Sequence, residues 1–390
     1  MIWLRAFVTK SESTLATMIS PAPAAHAAAP YDALLLVSFG GPNAPEDVVP
    51  FLRDVVRGRN IPDERLEAVG AHYYAFGGRS PINAQNLALR GALQAELERR
   101  DIALPVIWGN RHWHPYTRDT LRDAVAFGAR RLLALVTSAY GSYSGSRQYR
   151  EHLAAAVAEL GPDGAGLQID ILRPFFNDPG FVAANTSAIA EAARALPGGL
   201  DGAHIAYVTH SIPTTMQEAS AVTGPGYLEQ HEDVRRVIDE SLRRENGGAI
   251  TSSLSYCSRS GDPRTPWLEP DINDHLEELA AAGVTKVVIA PIGFIADHME
   301  VVYDLDTEAL ATAAERGIAA VRAGTVGIRE EFVHGLVDLI TERAARERGE
   351  EAVSPTVGAF RAFPDIAPPG SHRREHGVVT GIPVIAGSDD

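Results

Sequence analysis

Ile205-Ala206-Tyr207-Val208-Thr209-His210-Ser211-Ile212-Pro213 is answered later in the chain by Val287-Val288-Ile289-Ala290-Pro291-Ile292-Gly293-Phe294-Ile295-Ala296-Asp297-His298-Met299-Glu300. Each is an apolar run that reads as a buried strand and ends in ionisable side chains. In parallel α/β sheets, ligands gather in the crevice outside the carboxyl ends of the strands. The two runs therefore deliver a histidine, His210, and a carboxylate, Glu300, to one proton or metal site. An imidazole with a reference pKa of about 6.5 takes up protons near neutrality. A carboxylate relays protons or attracts a divalent cation.

Outward from these runs the pattern alternates. Residues 33–38, 106–109, 132–137, 167–171, 250–256 and 319–322 read as further strands beside 205–209 and 287–291. Helices are expected at 45–56, 83–99, 117–129, 147–160, 180–196, 227–243, 270–282, 304–315 and 329–347. Strands separated by helices imply parallel sheets with right-handed crossovers. The expected fold class is thus α/β, with two Rossmann-like lobes of parallel sheet flanked by helices. The lobes are placed at 31–190 and 191–347 and joined near Pro197-Gly198-Gly199. Neither lobe carries a G-x-G-x-x-G fingerprint or a P-loop lysine, which disfavours nucleotide binding. Residues 348–390, rich in Pro and Gly, read as a largely irregular tail.

Composition narrows the function classes. Apolar residues at 45% and charged residues at 22% suit a globular chain of 390 residues. The net charge is −15, and no basic stripe interleaves with aromatics, so nucleic acid is not an expected partner. Cys257 stands alone, which rules out an intramolecular disulfide or a cysteine-ligated cluster within one chain. The longest apolar stretch, Val287 to Ala296, is half a membrane span. Ala25-His26-Ala27 resembles a signal-peptidase site, but Lys10, Ser11, Glu12, Ser13 and Thr14 interrupt the apolar core that an export signal requires. Residues 1–30 are therefore expected to be a disordered extension, with Met18 as an alternative start, and the protein to be cytoplasmic.

Other candidates cluster at strand ends. Glu300, Asp304 and Glu308 recur every four residues and would share one face of a helix as an acidic ridge. Like charges at that spacing destabilise a helix by roughly 0.2–0.5 kcal/mol per pair. The ridge is thus either a solvated face or a path for cations. The segment Gly109 to Tyr116, with His112, His114, Trp113 and Tyr116, offers either stacking surfaces for a flat aromatic ligand or ordinary packing with a cap before the helix at 117. The hydroxyl-rich run Ser138 to Tyr149, with Arg147, could hold carboxylates. Taken together, these features suggest metal transfer into a planar ligand that bears carboxylates.

At this point the chain resembles the ferrochelatases from about Asp32 to about Arg346. The resemblance rests on Leu36-Val37-Ser38-Phe39-Gly40-Gly41-Pro42, Gly77-Gly78-Arg79-Ser80-Pro81, Gly109-Asn110-Arg111-His112 and Val208-Thr209-His210-Ser211-Ile212-Pro213. It continues through Pro266-Trp267-Leu268-Glu269-Pro270-Asp271 and the run from Pro291 to Glu300. Residues 56–62 look most like the bacterial branch that metallates coproporphyrin III rather than protoporphyrin IX. The resemblance implies a chelatase-like fold and a lyase that inserts Fe²⁺ into coproporphyrin III late in haem synthesis. Transient contacts with neighbouring enzymes of that pathway would follow.

His210 matches the family's active-site histidine and Glu300 the glutamate of the same site, as catalytic and metal-binding residues. Asp304 and Glu308 match its metal route. Phe39, Ser80, Tyr149, Tyr73 and His112 fall at porphyrin-binding positions. Phe39 stands where some relatives have an axial tyrosine, so no axial oxygen ligand is carried over. His72 replaces an arginine of some relatives. Iron is a substrate, and no permanently bound cofactor is expected. Many relatives hold an iron–sulfur cluster on four cysteines, and a chain with Cys257 alone is expected to have none. The rival readings are a chelatase for another porphyrin, such as protoporphyrin IX, or another metal, and a non-catalytic haem or metal carrier.

Overall fold

The computed structural model describes residues 26–58, 61–247, 250–260 and 264–387. Most of the expected N-terminal extension, up to residue 25, lies outside the described residues. Eight strands appear where the apolar runs place them: β1 Ala33–Ser38, β2 Val106–Asn110, β3 Arg131–Val136, β4 Gln168–Ile171, β5 His204–His210, β6 Thr251–Cys257, β7 Lys286–Ala290 and β8 Ala319–Arg322. They form two four-stranded sheets of order β2-β1-β3-β4 and β6-β5-β7-β8. Every pairing is parallel. The runs are continuous rather than alternating because β1 and β7 are covered by helices on both faces, and β1 is buried at all six positions.

The helices between strands also match, with informative differences at two of them. The segment expected as a helix at 304–315 begins earlier, with a turn at Met299–Val301, a π-helix over Val302–Ala309 and an α-helix only from Leu310 to Glu315. A second π turn, Tyr143–Arg147, precedes the helix Gln148–Ala158. Asp63–Ala75 and Thr214–Ser220 are helices that the apolar pattern does not announce. Asp63–Ala75 buries only Leu66, Gly70 and Tyr73, a stripe too narrow to register as amphipathic.

The two sheets share a core. One apolar cluster runs from Leu34 and Leu36 of β1 through Phe175 and Phe181 to Tyr207 of β5 and Phe332. The helix Pro179–Ala193 sits between, packing on Glu330–Glu347, on Tyr227–Asn246 and on β7. A continuous apolar interface of this kind opposes free rotation of one lobe on the other. Gln230 adds a polar latch: its amide accepts from the Gly141 amide at 2.8 Å and donates to the Gly141 carbonyl at 2.9 Å. Beyond residue 348 no described residue lies in a helix or strand, yet the tail is packed. Phe363 meets Phe176 at 5.9 Å, Ser371 and His372 are buried, and Ile385 and Ala386 pack against the first lobe.

Several histidines are held neutral by this packing. Burial is the main cause of the lowered pKa of His231, His152 and His372, at about 3, and of His204 and His112, at about 4. In the unfolded chain they would take protons near pH 6.5. Unfolding therefore takes up protons below pH 6.5, and stability falls as pH drops from there toward the folded values. Each contributes up to about 1.4 kcal/mol per pH unit. Asp178, Asp274 and Asp304, whose carboxyls burial pushes up, and His210, held above its ordinary value, act in the opposite direction but are fewer. The urea midpoint is expected to fall steadily between pH 6.5 and 5. A midpoint that stayed level across that window would contradict this assignment.

Candidate active site

His210 is the last residue of β5, a central strand of the second sheet. Its Nδ1 lies 2.5 Å from the Ser211 carbonyl. A carbonyl only accepts, so Nδ1 carries a proton and Nε2 is left to face outward. Nε2 points at Glu300 Oε2, 3.6 Å away. Glu300 comes from beyond β7, the neighbour of β5, on a loop that doubles back over the strand end. Gly293 makes that return tight. Its amide donates to the Val208 carbonyl at 3.2 Å, and a Cβ at 293 would collide with Thr209.

The loop is fixed from both lobes. The Asp297 amide donates to Gln85 Oε1 at 2.7 Å, and Gln85 Nε2 donates to the Asp297 carboxylate at 3.1 Å. Arg322 of β8 holds the other oxygen of Asp297 at 3.0 Å. Glu300, two residues past His298 and 3.9 Å from its Nδ1, is therefore offered to the cleft from a rigid base. Its side chain is 53% exposed, against 34% for His210, so the pair opens onto the cleft rather than being sealed within the protein.

The two groups set each other's charge. Enclosure alone would raise the Glu300 carboxyl, but His210 and then His298 outweigh it and bring it down to about 2. For His210, enclosure lowers the pKa, and the Glu300 carboxylate, the Ser211 carbonyl and the Asp304 charge together more than restore it, so the imidazole ends above its ordinary value. Burial pushes Asp304 up to about 6, helped by the charges of Glu300 and Glu308 and opposed by a hydrogen bond from Ser258.

Phe39, at the carboxyl end of β1, lines one small cavity with Phe51, Tyr73, Glu300, Tyr303 and Asp304. Both sheets thus present their strand ends to the same space, as the crevice rule requires. The cavity holds about 90 Å³, far less than a tetrapyrrole needs. Tyr73 is buried, and burial followed by the Glu300 charge drives its phenol well above the usual range. His72 stacks on Tyr303 at 3.8 Å with rings 5° apart, joining the helix Asp63–Ala75 to the Glu300 segment.

The remaining candidates sit behind Phe39 in the first lobe. His112 is tilted against Phe39 at 4.6 Å, with its Nδ1 3.0 Å from Asp54. Tyr149 is buried beneath the Arg111 guanidinium at 4.6 Å, and the same guanidinium lies 5.8 Å from Phe39. Ser80 is buried against Gly41, with its amide on the Pro42 carbonyl. Of the acidic ridge, Asp304 shares the cavity with Glu300, whereas Glu308 is exposed one turn further out. Among the described residues, no three His, Cys, Asp or Glu side chains gather as a closed metal site. The site offers one histidine–carboxylate pair and a trail of acids leading to it.

Sequence reasoning passed over Arg111, whose buried Nε has no hydrogen-bond partner, and His298. The stack of Arg111 on Phe39 and Tyr149 joins segments far apart in sequence and left no local signal.

A family model described as ferrochelatase matches residues 31–344. A protein of Streptomyces coelicolor named coproporphyrin III ferrochelatase is 53% identical over 88% of this chain and 93% of its own. One of the same name from Streptomyces griseus is 52% identical over 88% and 93%. A third, from Leifsonia xyli, is 46% identical over 87% and 90%.

Replacing Glu300 by Gln removes the charge that holds His210 up. Its pKa, read from imidazole chemical shifts over a pH titration, is expected to drop. An unchanged His210 titration would mean that the pair does not interact in solution.

Proposed function

The chain belongs to the ferrochelatase family, and on that premise we propose that it inserts Fe²⁺ into coproporphyrin III, releasing the two inner pyrrole protons. The observation that carries this reading is the His210–Glu300 pair, 3.6 Å apart at the mouth of the cleft, in a chain so similar to enzymes of that name.

The chemistry asks for three things. A porphyrin holds its nitrogens in plane and resists attack by a metal from above. Gripping its rim can bend the ring and expose a nitrogen lone pair, with the strain drawn from contacts remote from the metal. Phe39, Tyr73 and the Arg111–Tyr149 stack supply walls for such a grip. Next, iron must arrive dehydrated. Glu308 and Glu300, both exposed, and the half-buried Asp304 between them offer successive hard oxygen donors, weak enough singly to pass the ion on.

Finally, the pyrrole protons need an acceptor. Glu300 raises the proton affinity of His210, which suits Nε2 to accept a pyrrole proton. A cation beside Glu300 offsets the carboxylate and lowers that affinity again. His210 Nε2 thus takes a pyrrole proton and, once metal stands beside Glu300, hands it to water.

An iron–sulfur cluster does not fit these residues. The sole cysteine, Cys257, is buried at the end of β6, and no step is assigned to such a group. Among the described residues no helix is long and apolar enough to cross a membrane. A cytoplasmic setting, with transient contacts to neighbouring pathway enzymes, belongs to this same reading.

His210→Ala is expected to lower kcat for iron insertion by about 10²-fold or more, the range for loss of a general base, while coproporphyrin III still quenches protein fluorescence on binding. Near-normal turnover in that variant would defeat the assignment. Glu300→Gln is expected to lower kcat as well. A rise confined to the KM for Fe²⁺ would make Glu300 a recruiter outside the chemical step.

A further inference from the structure

Behind the strand end that carries His210 lies a closed set of polar groups with no part in the steps above. His231 is wholly buried, with its ring stacked on Tyr140 at 3.6 Å and 11°. Its Nδ1 lies 2.7 Å from the Tyr227 carbonyl and its Nε2 2.9 Å from Thr209 Oγ1. The carbonyl can only accept, so Nδ1 carries the proton and Nε2 the lone pair. The Thr209 hydroxyl must then donate to Nε2. Its oxygen in turn accepts from the Tyr227 hydroxyl, 2.6 Å away. The same phenol stands 3.1 Å from the backbone carbonyl of His210. With His231 neutral, as burial keeps it, the Thr209 proton points to His231 and the single Tyr227 phenol proton is shared between Thr209 Oγ1 and the His210 carbonyl.

The set touches both chain segments that build the active site. Thr209 precedes His210 and abuts Gly293, where the loop to Glu300 begins. Tyr140, from the first lobe, bears on His231 with its ring and donates from its hydroxyl to the Ile292 carbonyl at 3.1 Å. One residue of the first lobe is thus in register with the strand of His210 and with the loop of Glu300. An apolar ring at 231 would fill the same volume without burying polar atoms. What the imidazole adds is direction.

Resting on the metallation reading above, we propose that His231 is a positioning residue for iron insertion: through Thr209 and Tyr227 it fixes the end of β5 so that His210 faces Glu300. It touches neither substrate. Its loss should therefore appear in the rate of the chemical step rather than in substrate affinity.

The test is His231→Phe, which keeps the stack on Tyr140 and removes both hydrogen bonds, compared with His231→Gln, which restores an acceptor for Thr209. Steady-state insertion of Fe²⁺ into coproporphyrin III is measured for each beside the unaltered protein. For His231→Phe the expectation is a fall in kcat of roughly 10–100-fold, the scale for groups that orient a directly acting residue. Both KM values should stay near those of the unaltered protein, and His231→Gln should recover most of the rate.

Thr209→Val should reproduce the loss, and adding it to His231→Phe should cost nothing further. A normal kcat in His231→Phe, or a loss that follows only the folded fraction and is not relieved by Gln, would overturn the proposal. Should His231→Phe fail to fold, Thr209→Val decides, and a normal rate there overturns it equally. Absence of turnover in the unaltered protein would count against the metallation reading instead.

Discussion

The active site depends on how closely Thr209 and Gly293 approach. No side chain fits at position 293, because a Cβ there would meet the Thr209 hydroxyl well inside contact distance. That contact brings the loop after β7 back across the end of β5. Without it, a carboxylate seven residues further on would have no reason to stop 3.6 Å from His210. The glycine here serves close approach rather than an unusual backbone angle. The mutual shift of the two ionisable groups, one driven down and the other up, follows from the same distance.

A second layer of constraint comes from the other lobe. Gln85 grips Asp297 from both sides of its amide, Tyr140 reaches Ile292, and Gln230 pairs with Gly141. The apolar core passes without a break from one sheet to the other. A protein that strains a flat ring must not yield before the ring does. Interlobe contacts of this density make the walls of the cleft stiffer than two lobes on a hinge would be. The π-helical turns at Tyr143–Arg147 and Val302–Ala309 each open onto an otherwise ordinary helix, and the second carries Tyr303 and Asp304 into the cavity beside Glu300.

Much of this was legible in the chain itself. Both-face burial writes parallel strands as unbroken apolar runs, so all eight strands could be located, and their ends pointed to His210, Glu300 and Phe39. Local signals also existed where the reading fell short. Pro62, Asp63 and Glu64 open a helix in the usual manner, but Gly70 and a three-residue buried stripe hid its body. The widening of the helix after Val301 has no mark in composition. The Arg111 stack between Phe39 and Tyr149 joins three segments distant in sequence, and spacing along one of them cannot reveal it. The tail beyond residue 348 lacks periodicity, as read, because it is held by isolated anchors such as Phe363 and His372 rather than by a repeating face.

The central claim is that this cleft metallates a four-carboxylate porphyrin. It is tested most directly by anaerobic Fe²⁺ insertion with the purified protein, followed by absorbance, with coproporphyrin III and protoporphyrin IX compared at equal concentration. The account predicts turnover of both or of the first alone, with a higher kcat/KM for coproporphyrin III. Binding of coproporphyrin III without metallation, or a clear preference for protoporphyrin IX, would contradict it.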